Sequence, residues 1–551
     1  MDTILILSLY YWAIVFSIVG YGILFNHLFL RSSEKDIGYI GIYGIFILIF
    51  ISYLSSFFLP HTEIFNSAIL IIGFISFCTN KKIAQENIKN LLIVFMILMI
   101  FIFVSKNHDD FSYYHFPYAH LLTEYSNMIG LGNFNHGFRT HSSIFYLSAL
   151  FNLPFTNYFL LHLSPVFFLG FANIIFYNKI LSHLHFKKAS YILYLSLLSL
   201  IFINVFFYRL AEHGTDRSAM ILIIVVICEL FYLININKFI DKNLFLKLFV
   251  LLTLIVSLKT FYILYGLLLI PVFVYFLNKK ISLVFLFKNV VIYLCVLTLI
   301  LVLMVNFFNS GCLLYPIKNL CFESFSWSIP INEVEEMNQW YQQWAKAGAN
   351  PNYRVLNPEI YIKNFNWVSN WIDKYFFNKV SDFLLGVIFL SLVLLFVFFT
   401  KKTQRIKKPK FWIIYIILVF LTVEWFYVLP TLRYGGYHLI ALIFFIPLSI
   451  YLTRYLHKIP IFKKRVYFLI FLTIIIFFSR NISRLHSEYK LYDYNILNNA
   501  YFREEAKNFK IFETIKAINK CNIEKDLIFC SKDHIKVKFM NNHYIYYREK
   551  K

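Results

Sequence analysis

Charge is what this chain has least of. Asp, Glu, Lys and Arg make up only 15% of its 551 residues, where a soluble domain carries about 25%. With 59% hydrophobic residues and a mean hydropathy of +0.65, a soluble globular protein is excluded and an all-α polytopic membrane protein is expected. Glycine is scarce too, at 17 residues. None of them forms a dinucleotide-binding or P-loop pattern, so no soluble nucleotide-sugar site is visible. There is no internal repeat, and no small-residue cleavage site follows the first apolar run, which is therefore expected to remain as a helix.

What is present is a series of long apolar runs. A membrane span needs about 20 mostly apolar residues. That rule places spans near 4–30, 38–58, 63–79, 90–105, 155–177, 189–208, 217–236, 244–258, 261–277, 287–307, 381–400, 411–429, 436–453 and 465–480. This makes about fourteen transmembrane helices, with the pair around SLKTF readable as one bent helix. Alternate short loops differ in basic content: 31–37, 79–90, 178–188, 236–247, 278–288, 401–410 and 454–465 hold 25 Lys and Arg, the others six. Basic loops stay cytoplasmic, so the formal net charge of +23 needs no nucleic acid partner.

This map divides the chain into additional N-terminal helices (1–89), a transmembrane core (90–480) and a small α/β tail (481–551) with a hairpin about Asn541-Asn542. Both the loop 308–380 and the tail fall outside the cytoplasm. So do Cys312/Cys321 and Cys521/Cys530, two pairs of equal spacing that an oxidising compartment would allow to be disulfides. HDDFSYYH (108–115), NHGFRTH (135–141), AEHGTDRS (211–218), SLKT (257–260), NSGCLLYP (310–316) and LRYGGYH (432–438) share the same face.

Asp109 and Asp110 stand where a span leaves the hydrocarbon, followed by Tyr114, His115 and Pro117. Two amphipathic helices are expected behind them, one from Pro117 with Tyr118, Leu121, Leu122 and Tyr125 on one face, the other through SSIFYLSALF. A carboxylate at that boundary can accept a proton from a hydroxyl or ligate a hard cation. Glu212, His213 and Asp216 surround Gly214, with helix capping an equal reading for Asp216. Lys259 is the lone charge between two apolar runs, either functional or snorkelling to the interface. Arg433, a planar fork suited to phosphate, precedes Tyr434 and Gly435-Gly436, which would let a ligand approach the backbone. A structural pair with Glu424 is the alternative.

An acid pair in the first external loop, two juxtamembrane helices, later acids and a lysine, and an arginine near the last spans together resemble the GT-C glycosyltransferases. Among these are the protein O-mannosyltransferases and the aminoarabinose transferases of lipid A. The likeness covers residues 90–480, although three additional spans precede the one that leads into the acid-bearing loop, where that family normally has one span in all. SGCLLYP and RYGGY also resemble a group of bacterial multi-span proteins suspected of the same chemistry. The resemblance implies a GT-C-like core in a bacterial inner membrane, with site and tail extracytoplasmic. It implies inverting transfer from a polyprenyl-phosphate-linked sugar to a glycan, lipid or protein acceptor. Asp109 or Asp110 would be the base, and Arg433 with Lys259 would hold the donor phosphate. Tyr114, His115, Glu212, His213, Asp216 and Tyr434 would line the substrates, and Asp109, Asp110 and His115 would ligate any divalent cation (Mg or Mn). Rival readings are an O-antigen polymerase or ligase, and a transporter or flippase, for which Glu424 inside a span is the argument.

Overall fold

The computed structural model describes residues 2–31, 34–80, 88–104, 110–184, 190–211, 214–236, 242–350, 352–405, 412–492, 506–524 and 535–548. The chain is a bundle of apolar helices. Among the described residues six are long and apolar enough to cross a membrane: Ile4–Leu30, Ile37–Ser56, Leu161–Leu184, Thr260–Asn278, Val290–Ser310 and Val368–Phe398. Glu63–Thr79, Ile88–Phe103, Tyr191–Phe206, Trp412–Val428 and Gly436–Leu452 are apolar but shorter. Helices Gly214–Ile236, Lys242–Leu258 and Ile459–Tyr492 join them.

Helix Leu161–Leu184 is 89% buried and central, whereas Val368–Phe398 is 22% buried and peripheral. On the latter, Leu385, Phe389, Leu392 and Phe396 form an exposed apolar stripe at helical spacing. Water would penalise such a surface, and lipid does not. Close packing of the first three helices depends on glycine. A Cβ on Gly20 would lie 1.8 Å from the Gly73 carbonyl oxygen, so two helix backbones meet there.

The apolar run expected as a span over 155–177 forms its helix later, at Ser164–Leu184. Phe155 and Asn157 hold left-handed backbone (φ 62° and 47°), which a helix cannot continue through. Pro165 then sits in the first turn, where its missing N–H is not needed. Around SLKTF the chain forms two helices rather than one bent helix. Lys259 is the break, with extended backbone (φ −156°, ψ 110°) between Lys242–Leu258 and the 3-10 turn Thr260–Leu269.

The two helices behind the acid pair are Phe116–Glu124 and Ser143–Ala149, the second capped by the Ser142 side chain on the Ile144 N–H. They differ from the expected surface helices in being buried on every side. Helix Ala506–Glu524 accounts for part of that cover, with the Phe512 ring 4.1 Å from that of His120. The expected hairpin is present as β1 (Ile535–Met540) and β2 (His543–Arg548), turning through left-handed Asn541 and Asn542. β2 docks on the loop after Glu124: Tyr546 N donates to Ile129 O at 2.8 Å, and Arg548 Nη2 donates to Asn133 O at 2.7 Å. The stretch DLIFCS (526–531) of the tail lies outside the described residues.

Candidate functional site

Four helix ends converge on one ionic cluster. Asp110 begins the turn that continues as Phe111–His115 after the apolar helix Ile88–Phe103. Asp216 lies in the first turn of Gly214–Ile236, where the helix dipole favours a carboxylate. Gly214 permits this placement, because a Cβ there would meet Pro165 Cγ at 2.1 Å. Lys259 ends Lys242–Leu258, and its extended backbone releases the side chain from the helix surface. Arg433 sits in the turn Leu432–Tyr434, between Trp412–Val428 and Gly436–Leu452.

Arg433 Nη2 reaches Asp110 Oδ2 and Arg433 Nε reaches Asp216 Oδ2, each at 2.7 Å. Lys259 Nζ lies 3.3 Å from Asp216 Oδ1. Asp216 is thus paired with two cations at 3% side-chain exposure, while Asp110 is 25% exposed. Neither the cap reading of Asp216, the snorkelling of Lys259, nor an Arg433–Glu424 pair describes this geometry. Burial pulls the Arg433 guanidinium down, but Asp216 and Asp110 outweigh it and hold the group well above its ordinary value. It stays charged.

The turn carrying Arg433 is held from behind. Trp371 Nε1 donates to Pro430 O at 2.8 Å, Trp425 Nε1 donates to Thr431 O at 2.7 Å, and Leu432 N donates to Tyr375 Oη at 3.0 Å. The space expected for a ligand at Gly435-Gly436 belongs to an indole instead. A Cβ on Gly436 would lie 2.4 Å from the Trp425 ring, so these glycines admit Trp425.

Aromatic rings enclose the cluster. Tyr434 packs against Phe261 and Trp344, with Lys259 Nζ 5.9 Å from its ring centre. Burial pushes the Tyr434 and Tyr114 hydroxyls up, and Asp110 adds to the effect on Tyr114. Both are neutral hydrogen-bonding groups at any physiological pH. His115 is directed into a small space lined by Phe111, Phe145, His162 and Pro165. Tyr262 is a further candidate that sequence reasoning misses: its buried hydroxyl has no hydrogen-bond partner among the described residues and lies in the field of Asp216. As one of 40 tyrosines, it carries no signal in the sequence.

Other polar motifs build the scaffold. Arg139 donates to Gly132 O, Tyr315 Oη and Glu333 Oε1. His141 is held between Tyr53 Oη and Asn306 Oδ1, each at 2.9 Å. Cys312 and Cys321 are joined in a disulfide. The Cys521 side chain and Cys530, together with Asp109, Glu212 and His213, lie outside the described residues. Among the described residues no three His, Cys, Asp or Glu side chains converge as metal ligands. Of the expected ligands, Asp109 lies outside the described residues and Asp110 is engaged by Arg433.

No curated protein and no solved structure matches this chain. A family described as a domain of unknown function (DUF8201) matches residues 3–440, a stretch that holds Asp110, Asp216, Lys259, Arg433 and Tyr434, and the chain belongs to that family.

Proposed function

We propose that this chain is an inverting glycosyltransferase of about fourteen spans, of the GT-C kind, using a polyprenyl-phosphate sugar at the extracytoplasmic face of a bacterial inner membrane. The observation that carries the reading is the Arg433 bridge between Asp110 and Asp216, with Lys259 behind it, at the ends of apolar helices.

The cluster has two cations and two carboxylates, and only one of those carboxylates is accessible. A donor phosphate arriving at this level competes with Asp110 for the guanidinium, since Arg binds phosphate in the same forked way. Asp216, itself held by Lys259, keeps the arginine in place during the exchange. Released from Arg433, Asp110 becomes more basic and accepts the proton of an acceptor hydroxyl. That hydroxyl oxygen bonds to the anomeric carbon from the face opposite the phosphate. The carbon–oxygen bond to phosphate breaks, its electron pair leaves with the phosphate, and Arg433 and Lys259 stabilise the growing negative charge. Tyr114 and Tyr434, both neutral, suit hydrogen bonding to sugar hydroxyls.

The test is to supply membranes containing the chain with a panel of radiolabelled polyprenyl-phosphate sugars and determine the anomeric configuration of the product. Transfer with inversion from one donor, lost in Arg433→Ala, is the expected result. Transfer with retention, or none from any donor, would remove the reading and favour polymerase or transporter chemistry.

A further inference from the structure

Helix Ile459–Tyr492 changes character part-way along. Its apolar run FLIFLTIIIFF (468–478) gives way to SRNISRLHSE (479–488), in which Ser-Arg, Ser-Arg and Ser-Glu recur every four residues. That period stacks Ser479, Ser483 and Ser487 in one row and Arg480, Arg484 and Glu488 in the next. Both rows line an open cleft of about 500 Å³, flanked on its other side by Tyr208 and Arg209. Those two residues stand just past the end of helix Tyr191–Phe206, so two apolar runs terminate at the same level around this space. The size is that of a small-molecule site.

The cations are oriented. Arg480 Nη1 donates to Val205 O at 2.7 Å, and its guanidinium lies 3.9 Å from the Tyr208 ring centre. Among the described residues, Arg480 has no carboxylate partner. Arg484 Nε donates to Glu488 Oε1 at 2.6 Å, with both side chains almost fully buried. Arg209, Arg480, Arg484 and Glu488 line the space beside a ladder of three hydroxyls.

We propose that this cleft binds a phosphate ester carrying a hydroxyl-rich group, supplied as the headgroup of an anionic lipid. Arginine forks match phosphate oxygens, serine hydroxyls match the remaining polar atoms, and the level is where headgroups meet the ends of apolar helices. The serine and arginine rows lie beyond residue 440, outside the stretch that matches the family, whereas Tyr208 and Arg209 lie within it. It does not depend on the transferase reading, because occupancy is measured without any reaction.

The experiment uses the full chain, purified in a neutral detergent, with short-chain phosphatidylglycerol and glucose 1-phosphate as probes. Saturable phosphatidylglycerol binding, weakened about tenfold in Arg480→Gln and in Ser483→Leu, is the expected result. Both positions are exposed on the helix, so the fold should survive, and an unchanged melting temperature verifies this. Ser483→Leu fills the cleft without removing charge, which separates a site from arginines that merely snorkel. If glucose 1-phosphate binds as tightly and with the same sensitivity, the site stands and its ligand is a soluble sugar phosphate. Unsaturable binding, or binding that neither substitution changes, would overturn the proposal.

Discussion

Arg433 engages carboxylates on two separate helices through two different nitrogens, Nε in a hydrogen bond to Asp216 and Nη2 in an ion pair with Asp110, which a rigid planar fork can do and an ammonium cannot. Arg433→Lys should therefore keep the charge yet lose one of the two pairs, lowering transfer by at least about tenfold. The two acids should differ in stability. Asp216→Asn leaves two cations facing each other in a nearly buried place and should lower the melting temperature in detergent more than Asp110→Asn, which affects a partly exposed pair. Lys346 gives a pH signature. It is buried over the Trp367 and Tyr427 rings, with no carboxylate partner among the described residues, and burial pushes its ammonium from an ordinary 10.5 down to about 8. Between those values the unfolded chain binds the extra proton, so this group should make stability rise as pH increases from about 8. Lys346→Met should abolish that rise in thermal unfolding curves. At this scale Asp110, Asp216, Lys259 and Arg433 were legible because ionisable residues at the ends of apolar runs are few. Gly435-Gly436 misled, since a glycine pair reads the same whether a ligand or Trp425 fills the space.

Where one element stops matters as much as where it runs. Lys259 reaches Asp216 because the helix breaks at Lys259, and the sequence shows only that a charge interrupts two apolar runs. The span around 155–177 was misplaced for a related reason. Hydropathy cannot see the left-handed residues that delay a helix start, although Pro165 was available as a signal. Burial of Phe116–Glu124 and Ser143–Ala149 was illegible because their cover comes partly from residues near the far end of the chain. The hairpin, in contrast, follows from its Asn-Asn turn. Its docking predicts a coupling: Tyr546 is fully buried and bonds to Asn519 Oδ1, so Tyr546→Ala should loosen β2 from its seat. Hydrogen exchange in 127–134 should then quicken, with exchange in Ile37–Ser56 unchanged.

Across the whole molecule, helix Gly214–Ile236 carries two charged centres. Asp216 belongs to the candidate site, and thirteen residues on, about 20 Å along the axis, Glu229 pairs with Lys179 at 2.6 Å and Lys247 at 3.5 Å. Tyr39 and Glu34 complete that second network, which ties separate helices together. The asymmetry of basic loops predicts that its end faces the cytoplasm. Lys402→Cys should then react with a membrane-impermeant maleimide only after permeabilisation, and Lys318→Cys without it.

The central claim is that the Asp110–Arg433–Asp216 cluster performs sugar transfer. Its most direct test compares initial rates of transfer from the preferred polyprenyl-phosphate sugar, at matched expression, for wild type, Asp110→Asn, Asp216→Asn and the scaffold variant Glu333→Gln. Near-complete loss is expected in Asp110→Asn, a large loss in Asp216→Asn, and near-wild-type rates in Glu333→Gln. Full activity in Asp110→Asn and Asp216→Asn would contradict the claim.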